Sequence, residues 1–284
     1  MSAEITSERV DVTVDGDDVT LHYRTGGSGP PLVFLHGIGL DAATVSWRHA
    51  LPALAEERTV YAPDLPGHGD SDKPDRAYTT PYYLATLAAF LDAVDITEPA
   101  MAGLSVGGAL ALGHALDGGD VERLVLVNSY GLGRDAYWRT AASAALQTPW
   151  LGSVLWHGVG HSKPAIRTGL RNMGASEPPR ELVEDVDSVV DRRTVRAMRR
   201  WQRSEFRLGG FRTNYLGRLD EISVPTLVIH GDDDPLLPPS WSRRAVGELS
   251  EGDLELVENC GHCPPRERPA WFNGTVRSFC ATGD

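Results

Sequence analysis

Gly103-Leu104-Ser105-Val106-Gly107-Gly108 is the stretch on which the fold turns. It follows the apolar pair Met101-Ala102 and opens a helical pattern that runs on from Ala109 to Leu116. A serine at so abrupt a passage from strand to helix is pushed into a strained backbone conformation, and glycines beside it remove the Cβ atoms that would collide there. Its hydroxyl then projects above the end of the strand. The first turn of the helix adds unpaired N–H groups and the positive end of a dipole, useful where negative charge develops on a substrate oxygen. Alone, the same glycines also fit an ordinary βα turn.

Around this elbow, short β-rich runs alternate with helical patterns. The runs are Val10 to Val14, Leu21 to Arg24, Leu32 to Leu35, Val60 to Ala62, Met101 to Ala102, Val121 to Val127, Thr226 to Ile229 and Leu254 to Val257, eight strands in all. Asp15-Gly16-Asp17-Asp18 separates the first two as a turn would, predicting an antiparallel hairpin. Later strands are separated by helical segments such as Tyr83 to Val94 and Val106 to Leu116. That βαβ rhythm predicts an α/β protein with a mainly parallel eight-stranded sheet covered by helices on both faces. Between Asn128 and Pro225 the rhythm breaks: roughly ninety residues hold tryptophans, prolines and arginines but no convincing strand. We therefore expect a core of residues 1–130 and 218–284 and an inserted helical cap of residues 131–217.

Composition narrows the class. At 284 residues, with 41% hydrophobic and 23% charged residues, the chain suits one large core with an insertion rather than a disordered polymer. No run of about 18 apolar residues appears. Met1-Ser2-Ala3-Glu4 carries acid where a leader would carry base, so a cytoplasmic enzyme without a membrane partner is expected. The net charge of −12 argues against nucleic acid, whose phosphates would meet a repulsive surface. Only Lys73 and Lys163 of the 27 basic residues are lysines, a bias that suits a GC-rich genome or a salt-adapted proteome. The cysteines Cys260, Cys263 and Cys280 are too few and too crowded to staple the fold.

Three further segments supply chemistry. His36-Gly37-Ile38-Gly39 directly follows the strand Leu32-Val33-Phe34-Leu35. His230-Gly231-Asp232-Asp233-Asp234-Pro235 follows Thr226 to Ile229, and Gly261-His262 follows Leu254 to Val257. Serine, acid and histidine thus come in the order that a nucleophile elbow requires. His262 alone has the right chain position, since His157 and His161 lie in the insertion and His114 on the helix after Ser105. These residue types belong together because a serine hydroxyl is unreactive at neutral pH until a base takes its proton, and an acid must hold the imidazole in the right tautomer.

On these residues the chain resembles the serine-nucleophile branch of the α/β-hydrolase superfamily over nearly its whole length. Pro63-Asp64-Leu65-Pro66-Gly67-His68-Gly69-Asp70-Ser71-Asp72-Lys73-Pro74 is similar to that superfamily's loop after the fourth strand, and Gly261-His262-Cys263-Pro264-Pro265 to its histidine loop. The resemblance implies Ser105 as nucleophile, His262 as general base and Asp234 as the orienting acid, with Asp233 as the fallback. It also implies the amides of Ile38 and Val106 as oxyanion donors, with His36, Gly37, Leu104 and Cys263 close to a small-molecule substrate. No metal or cofactor is implied. Dehalogenases and epoxide hydrolases share the Asp64 to Pro74 loop but carry aspartate where Ser105 stands. Glu258-Asn259-Cys260-Gly261-His262, Trp271-Phe272-Asn273 and Gly131-Leu132-Gly133 are similar to the meta-cleavage carbon–carbon hydrolases. Leu104 and Cys263 depart from that subgroup, which carries asparagine and tryptophan there. Carboxylic-ester hydrolysis is therefore the expected reaction, with carbon–carbon hydrolysis of a vinylogous diketone acid as the alternative. A non-catalytic receptor on the same fold comes third, and disulfide exchange at Cys260-Gly261-His262-Cys263 fourth.

The insertion differs in charge from the rest. Residues 131–217 hold thirteen arginines and Lys163 against eight acids, a net +6 that leaves −18 elsewhere. Arg192, Arg196, Arg199, Arg203 and Arg207 recur at helical spacing, with Val195, Met198 and Phe206 on another face. Such a stripe is either a solvated face balanced by acids of the body, or a source of one or two guanidinium groups, Arg192 and Arg196 foremost, that clamp a substrate carboxylate.

Overall fold

Asp15 and Gly16 both adopt positive φ, 54° and 84°, the pair of left-handed residues that a two-residue type I′ turn needs. The chain therefore doubles back into a hairpin of β1 (Ile5–Val14) and β2 (Asp17–Gly26), longer than the sequence pattern marks, with Asp17 and Asp18 inside the second strand. This computed structural model describes residues 3–136, 162–174, 177–207 and 209–281. His157 and His161, with the rest of 137–161, lie outside the described residues.

The remaining strands of the main sheet are β3 (Pro31–Leu35), β4 (Thr59–Pro63), β5 (Ala100–Leu104), β6 (Arg123–Val127), and, beyond a two-residue ribbon of β7 (Phe206–Arg207) and β8 (Gly210–Phe211), β9 (Thr226–Gly231) and β10 (Gly252–Val257). Their order is β1-β2-β4-β3-β5-β6-β9-β10. The β1–β2 and β2–β4 pairs are antiparallel and the rest parallel. Every residue of β5, β6 and β9 is buried, Arg123, Thr226 and His230 included, as the mostly apolar strands of a sheet covered on both faces should be. The ribbon corrects the expectation of no strand between Asn128 and Pro225. Strands of two residues are too short to show a period of two.

Helices cover both faces. Among the described residues they are, in chain order, α1 (Ala43–Ser46), α2 (Ala50–Leu54), α3 (Thr80–Ala93), α4 (Val106–Leu116), α5 (Lys163–Arg171), α6 (Arg180–Val189), α7 (Arg192–Glu205), α8 (Pro239–Glu248), α9 (Pro264–Glu267) and α10 (Pro269–Ala281). Leu87, Phe90, Leu110, Leu112 and Trp241 from α3, α4 and α8 fill one face, and Trp47, Leu51, Phe272 and Val276 fill the other. Among the described residues no helix is long and apolar enough to cross a membrane.

Helices α5, α6 and α7 fall between β6 and β9. Ile166 and Leu170 of α5 and Val183 and Val186 of α6 pack against Leu40, Ala42 and Val45 of the segment after β3. Charge fastens the same joint: Arg48 and Arg266 both reach Asp185 (2.7 and 2.9 Å) and Glu181 (3.1 and 3.2 Å) on α6. Helix α7 starts on Asp191, whose carboxylate accepts from the Thr194 amide at 2.7 Å, and buries Ala197, Met198 and Trp201.

Register brings the site together. Leu35 pairs with Gly103, Gly103 with Leu126, Val127 with Ile229, and Val257 with Gly231. The residues just past these pairs, His36, Ser105, Asn128 and His230, therefore emerge at one end of the sheet.

Candidate active site

Ser105 joins β5 to α4 with φ 54° and ψ −116°, a conformation that costs a non-glycine residue on the order of 1–3 kcal/mol. Close packing explains the neighbours. A Cβ on Gly103 would stand 2.3 Å from the Gly107 carbonyl carbon, and one on Gly107 would stand 2.1 Å from the Leu35 oxygen. The Ser105 N–H donates to Val127 O and its carbonyl accepts from Tyr130 N–H, each at 2.9 Å, so β6 and the loop after it hold the elbow.

His262 and Ser105 both line one cavity. The histidine's Nδ1 is 2.8 Å from Asp234 Oδ2. Asp234 also accepts from Asn128 Nδ2 at 2.7 Å and from the amides of Leu236 and Leu237 at 2.8 and 3.2 Å. Burial opposes ionisation of this carboxyl, but the adjacent His262, with His230 and their hydrogen bonds, holds it well below the usual carboxylate range. An ionised acceptor fixes the proton on His262 Nδ1 and leaves Nε2 of the neutral ring free to accept one. Burial would lower the His262 pKa; the charge of Asp234 and its hydrogen bond outweigh it, and the result is raised. Asp232 and Asp233 are exposed. Register and burial thus bring Asp234, rather than its fallback, onto the histidine.

His36 lies behind the cavity wall. Its Nε2 accepts from the Leu65 amide at 2.9 Å, so the ring proton is on Nδ1, which donates to Gly37 O at 2.6 Å. In a planar trans peptide the Ile38 N–H points opposite to that carbonyl, so His36 fixes the direction of one candidate oxyanion donor. Asp41 braces the other side, accepting from Gly37 N–H at 2.7 Å. Val106, the second candidate donor, opens α4, where first-turn amides have no partner within the helix. Replacing His36 by alanine should lower kcat about 10- to 100-fold with KM little changed. It should also cost about 1–3 kcal/mol of stability by orphaning the Leu65 amide. Steady-state kinetics and urea denaturation on one preparation measure both. An unchanged kcat would sever His36 from the oxyanion site.

The cavity measures about 270 Å³. Gly37, Ile38, Leu104, Ser105, His262 and Cys263 line it, as do Leu40, Val45, Leu170, Met173 and Leu182. Arg192 and Arg196 do not line it, which corrects their expected place beside a substrate. Helix α7 turns its apolar side to the body, which leaves Arg196 and Arg200 over the loop after β4. Arg196 and Arg200 accordingly meet Asp75 at 3.8 and 2.5 Å. The thiols near His262 are also not what disulfide exchange needs: Cys260 and Cys263 are free, burial pushes Cys260 up to about 12, and Cys263 is raised well above the ordinary thiol value. Neither is a thiolate near neutral pH.

The sequence model of the alpha/beta hydrolase family matches residues 32–275. The chain belongs to this family. Among relatives, the hydrolase is 31% identical to an uncharacterized protein of Mycobacterium bovis, over 92% of this chain and 78% of that one. It is 27% identical to the 2-hydroxymuconate semialdehyde hydrolase of Pseudomonas sp. strain CF600, over 100% of this chain and 98% of that one. Among solved structures, a meta-cleavage product hydrolase from Pseudomonas fluorescens IP01 superposes with a TM-score of 0.79 at 25% identity, over 95% of this chain and 96% of that one.

Four supporting residues of the hydrolase escape sequence reasoning. Asn128 accepts from the Gly231 amide (3.3 Å) and donates to both Asp234 and the Gly261 carbonyl (2.7 and 3.2 Å), tying three strand ends together. His230 donates from Nε2 to Leu237 O at 3.0 Å and meets Ser242 Oγ through Nδ1 at 2.6 Å, so its ring is held in place beneath Asp234. Asp41 is the third. Glu267 is the fourth, accepting from the amides of Gly261 (2.9 Å) and Cys263 (3.1 Å) on either side of His262. The only advance signal was a polar residue at the end of an apolar strand, which marks Asn128 and His230 and also marks any loop start.

Proposed function

We propose that this hydrolase cleaves carboxylic esters with an uncharged, apolar acyl group, using Ser105, His262 and Asp234. In this reading Ser105 Oγ attacks the ester carbonyl while His262 Nε2 takes its proton, and the oxyanion forms against the Ile38 and Val106 amides. The Oγ–carbon bond forms and the alcohol departs with the proton from His262. Water, deprotonated at the same nitrogen, then releases the acid and restores Ser105.

One observation carries the choice of substrate. Among the described residues lining the cavity, Arg266 is the one cation, and its guanidinium is bound to Asp185 (2.9 Å), Glu181 (3.2 Å) and the Val45 carbonyl (2.6 Å). Asp41 and Glu267 add carboxylates to that wall, between apolar side chains. A neutral acyl chain suits such a lining better than an anionic one, whose desolvation would go uncompensated.

A second reading, hydrolysis of a carbon–carbon bond, draws support from the names of the Pseudomonas relatives. The two separate in a panel that sets p-nitrophenyl esters beside a 2-hydroxy-6-oxo-dienoate. Esters are expected to exceed the dienoate at least about tenfold in kcat/KM. The reverse order would replace ester hydrolysis by the second reading.

A further inference from the structure

A second group of serine, histidine and aspartate stands at the far edge of the sheet. Ser7 of β1 has its Oγ 2.5 Å from His22 Nε2 of β2, and His22 Nδ1 is 2.8 Å from Oδ2 of Asp64, just past β4. Atom for atom, the imidazole-to-carboxylate bond repeats that of His262 and Asp234. Strands β2, β4 and β3 intervene between β1 and β5. Four spacings of about 4.8 Å separate the two serines by roughly 19 Å across the sheet.

We propose that Ser7 is a second nucleophilic serine, activated by His22 and Asp64 and open to activated acyl and phosphonyl esters from solution.

Protonation states follow from the hydrogen bonds. Asp64 accepts the amides of Ala43 (2.8 Å) and Asp70 (3.0 Å) besides the His22 ring. Burial alone would raise its pKa; the His22 bond, the nearby His36 and these amides bring it below the ordinary value. The carboxylate is therefore an acceptor for His22 Nδ1–H, which in the neutral ring leaves Nε2 to accept from the Ser7 hydroxyl. The ring is held in place, since the His22 backbone N–H donates to Ser71 Oγ at 2.8 Å and Ser71 Oγ donates to Asp64 O at 2.6 Å.

Access and charge favour reaction. His22 and Asp64 are buried but Ser7 is exposed, so an electrophile reaches it without entering the cavity over Ser105. Antiparallel register sets Arg24 directly opposite Ser7, on the same face, and the Arg24 Nε is buried without a hydrogen-bond partner. A guanidinium carried on the strand position opposite the serine would offset negative charge developing on the attacked group. With a fluorophosphonate, the Ser7 Oγ–P bond forms as the P–F bond breaks, fluoride departs, and the serine proton passes to His22 Nε2 and on to water. With an aryl ester, Oγ bonds to the carbonyl carbon and the phenolate departs.

The test uses the full-length protein, a fluorophosphonate probe and adduct mapping by peptide mass spectrometry. Ser28 is also exposed and serves as an internal reference. Ser7 should be labelled at least about tenfold faster than Ser28, and the preference should vanish in urea, because it depends on the folded His22–Asp64 pair. His22→Gln should bring Ser7 to the Ser28 rate, while Ser7→Ala should leave ester turnover unchanged. Equal labelling of Ser7 and Ser28 in the folded protein would overturn the proposal, as would a Ser7 preference that survives urea. Labelling at Ser105 is scored separately by its own peptide.

Discussion

Ser105→Ala is expected to lower kcat for ester hydrolysis at least about a thousandfold, some 4 kcal/mol of lost transition-state stabilisation, while the protein stays folded. The residue sits at a backbone position that strains any L side chain, so alanine inherits the strain and removes only the hydroxyl. Ser7 lies on a distant edge strand and cannot substitute. Ser105→Gly should lose as much activity but gain about 1 kcal/mol in stability, because glycine adopts φ 54° without the same penalty. Loss of function with a gain in stability would mark the elbow as strain maintained for chemistry. A variant with either substitution that kept more than a tenth of the native kcat would remove Ser105 from the mechanism.

Asp234→Asn should be nearly as damaging, by about a thousandfold or more in kcat, whereas Asp233→Asn should change it less than about threefold. Asparagine in place of Asp234 meets Asn128 Nδ2 and His262 Nδ1 with an amide that can accept only through its oxygen, so the histidine loses the charge that sets its tautomer. The pH profile provides an independent readout. His262 must be neutral to act as base, and its pKa in the folded protein is raised, so the acidic limb of kcat/KM should lie above the ordinary histidine value of about 6.5. Without the Asp234 charge, that limb should move down.

The stability linkage has opposite signs at the two partners. Asp234 is depressed in the folded state, so its contribution is present above the unfolded carboxylate pKa of about 3.9 and is lost as the solution is acidified below that value. His262 is raised, so its contribution is full below about 6.5 and lost as pH rises through the folded value. Denaturation at several pH values should show both slopes in the native protein and shallower ones in Asp234→Asn, where Asp64 still contributes to the acid slope. Similar losses from Asp233→Asn and Asp234→Asn would show that the wrong carboxylate had been assigned.

The sequence by itself determined the features whose cause is local. Gly103 and Gly107 were readable because the elbow's steric demand involves its immediate neighbours, and β5, β6 and β9 because strands covered on both faces are mostly apolar. Chain order pointed to His262 and an acid near Asp234. Tertiary structure alone decided the rest. Family resemblance named Asp234 among three successive aspartates, but the physical choice depends on which one the turn after β9 buries, and only Asp234 is buried. Asn128, His230 and Asp41 became supports only when strand register and a loop brought their donors and acceptors within bonding distance. Helical spacing placed the α7 arginines on one face but could not aim that face. The helix's orientation was settled by burial of Ala197, Met198 and Trp201 against the body, which carried Arg196 and Arg200 over Asp75 and away from the cavity. Spacing along a chain encodes which residues share a face. Where that face points is a property of everything packed around it.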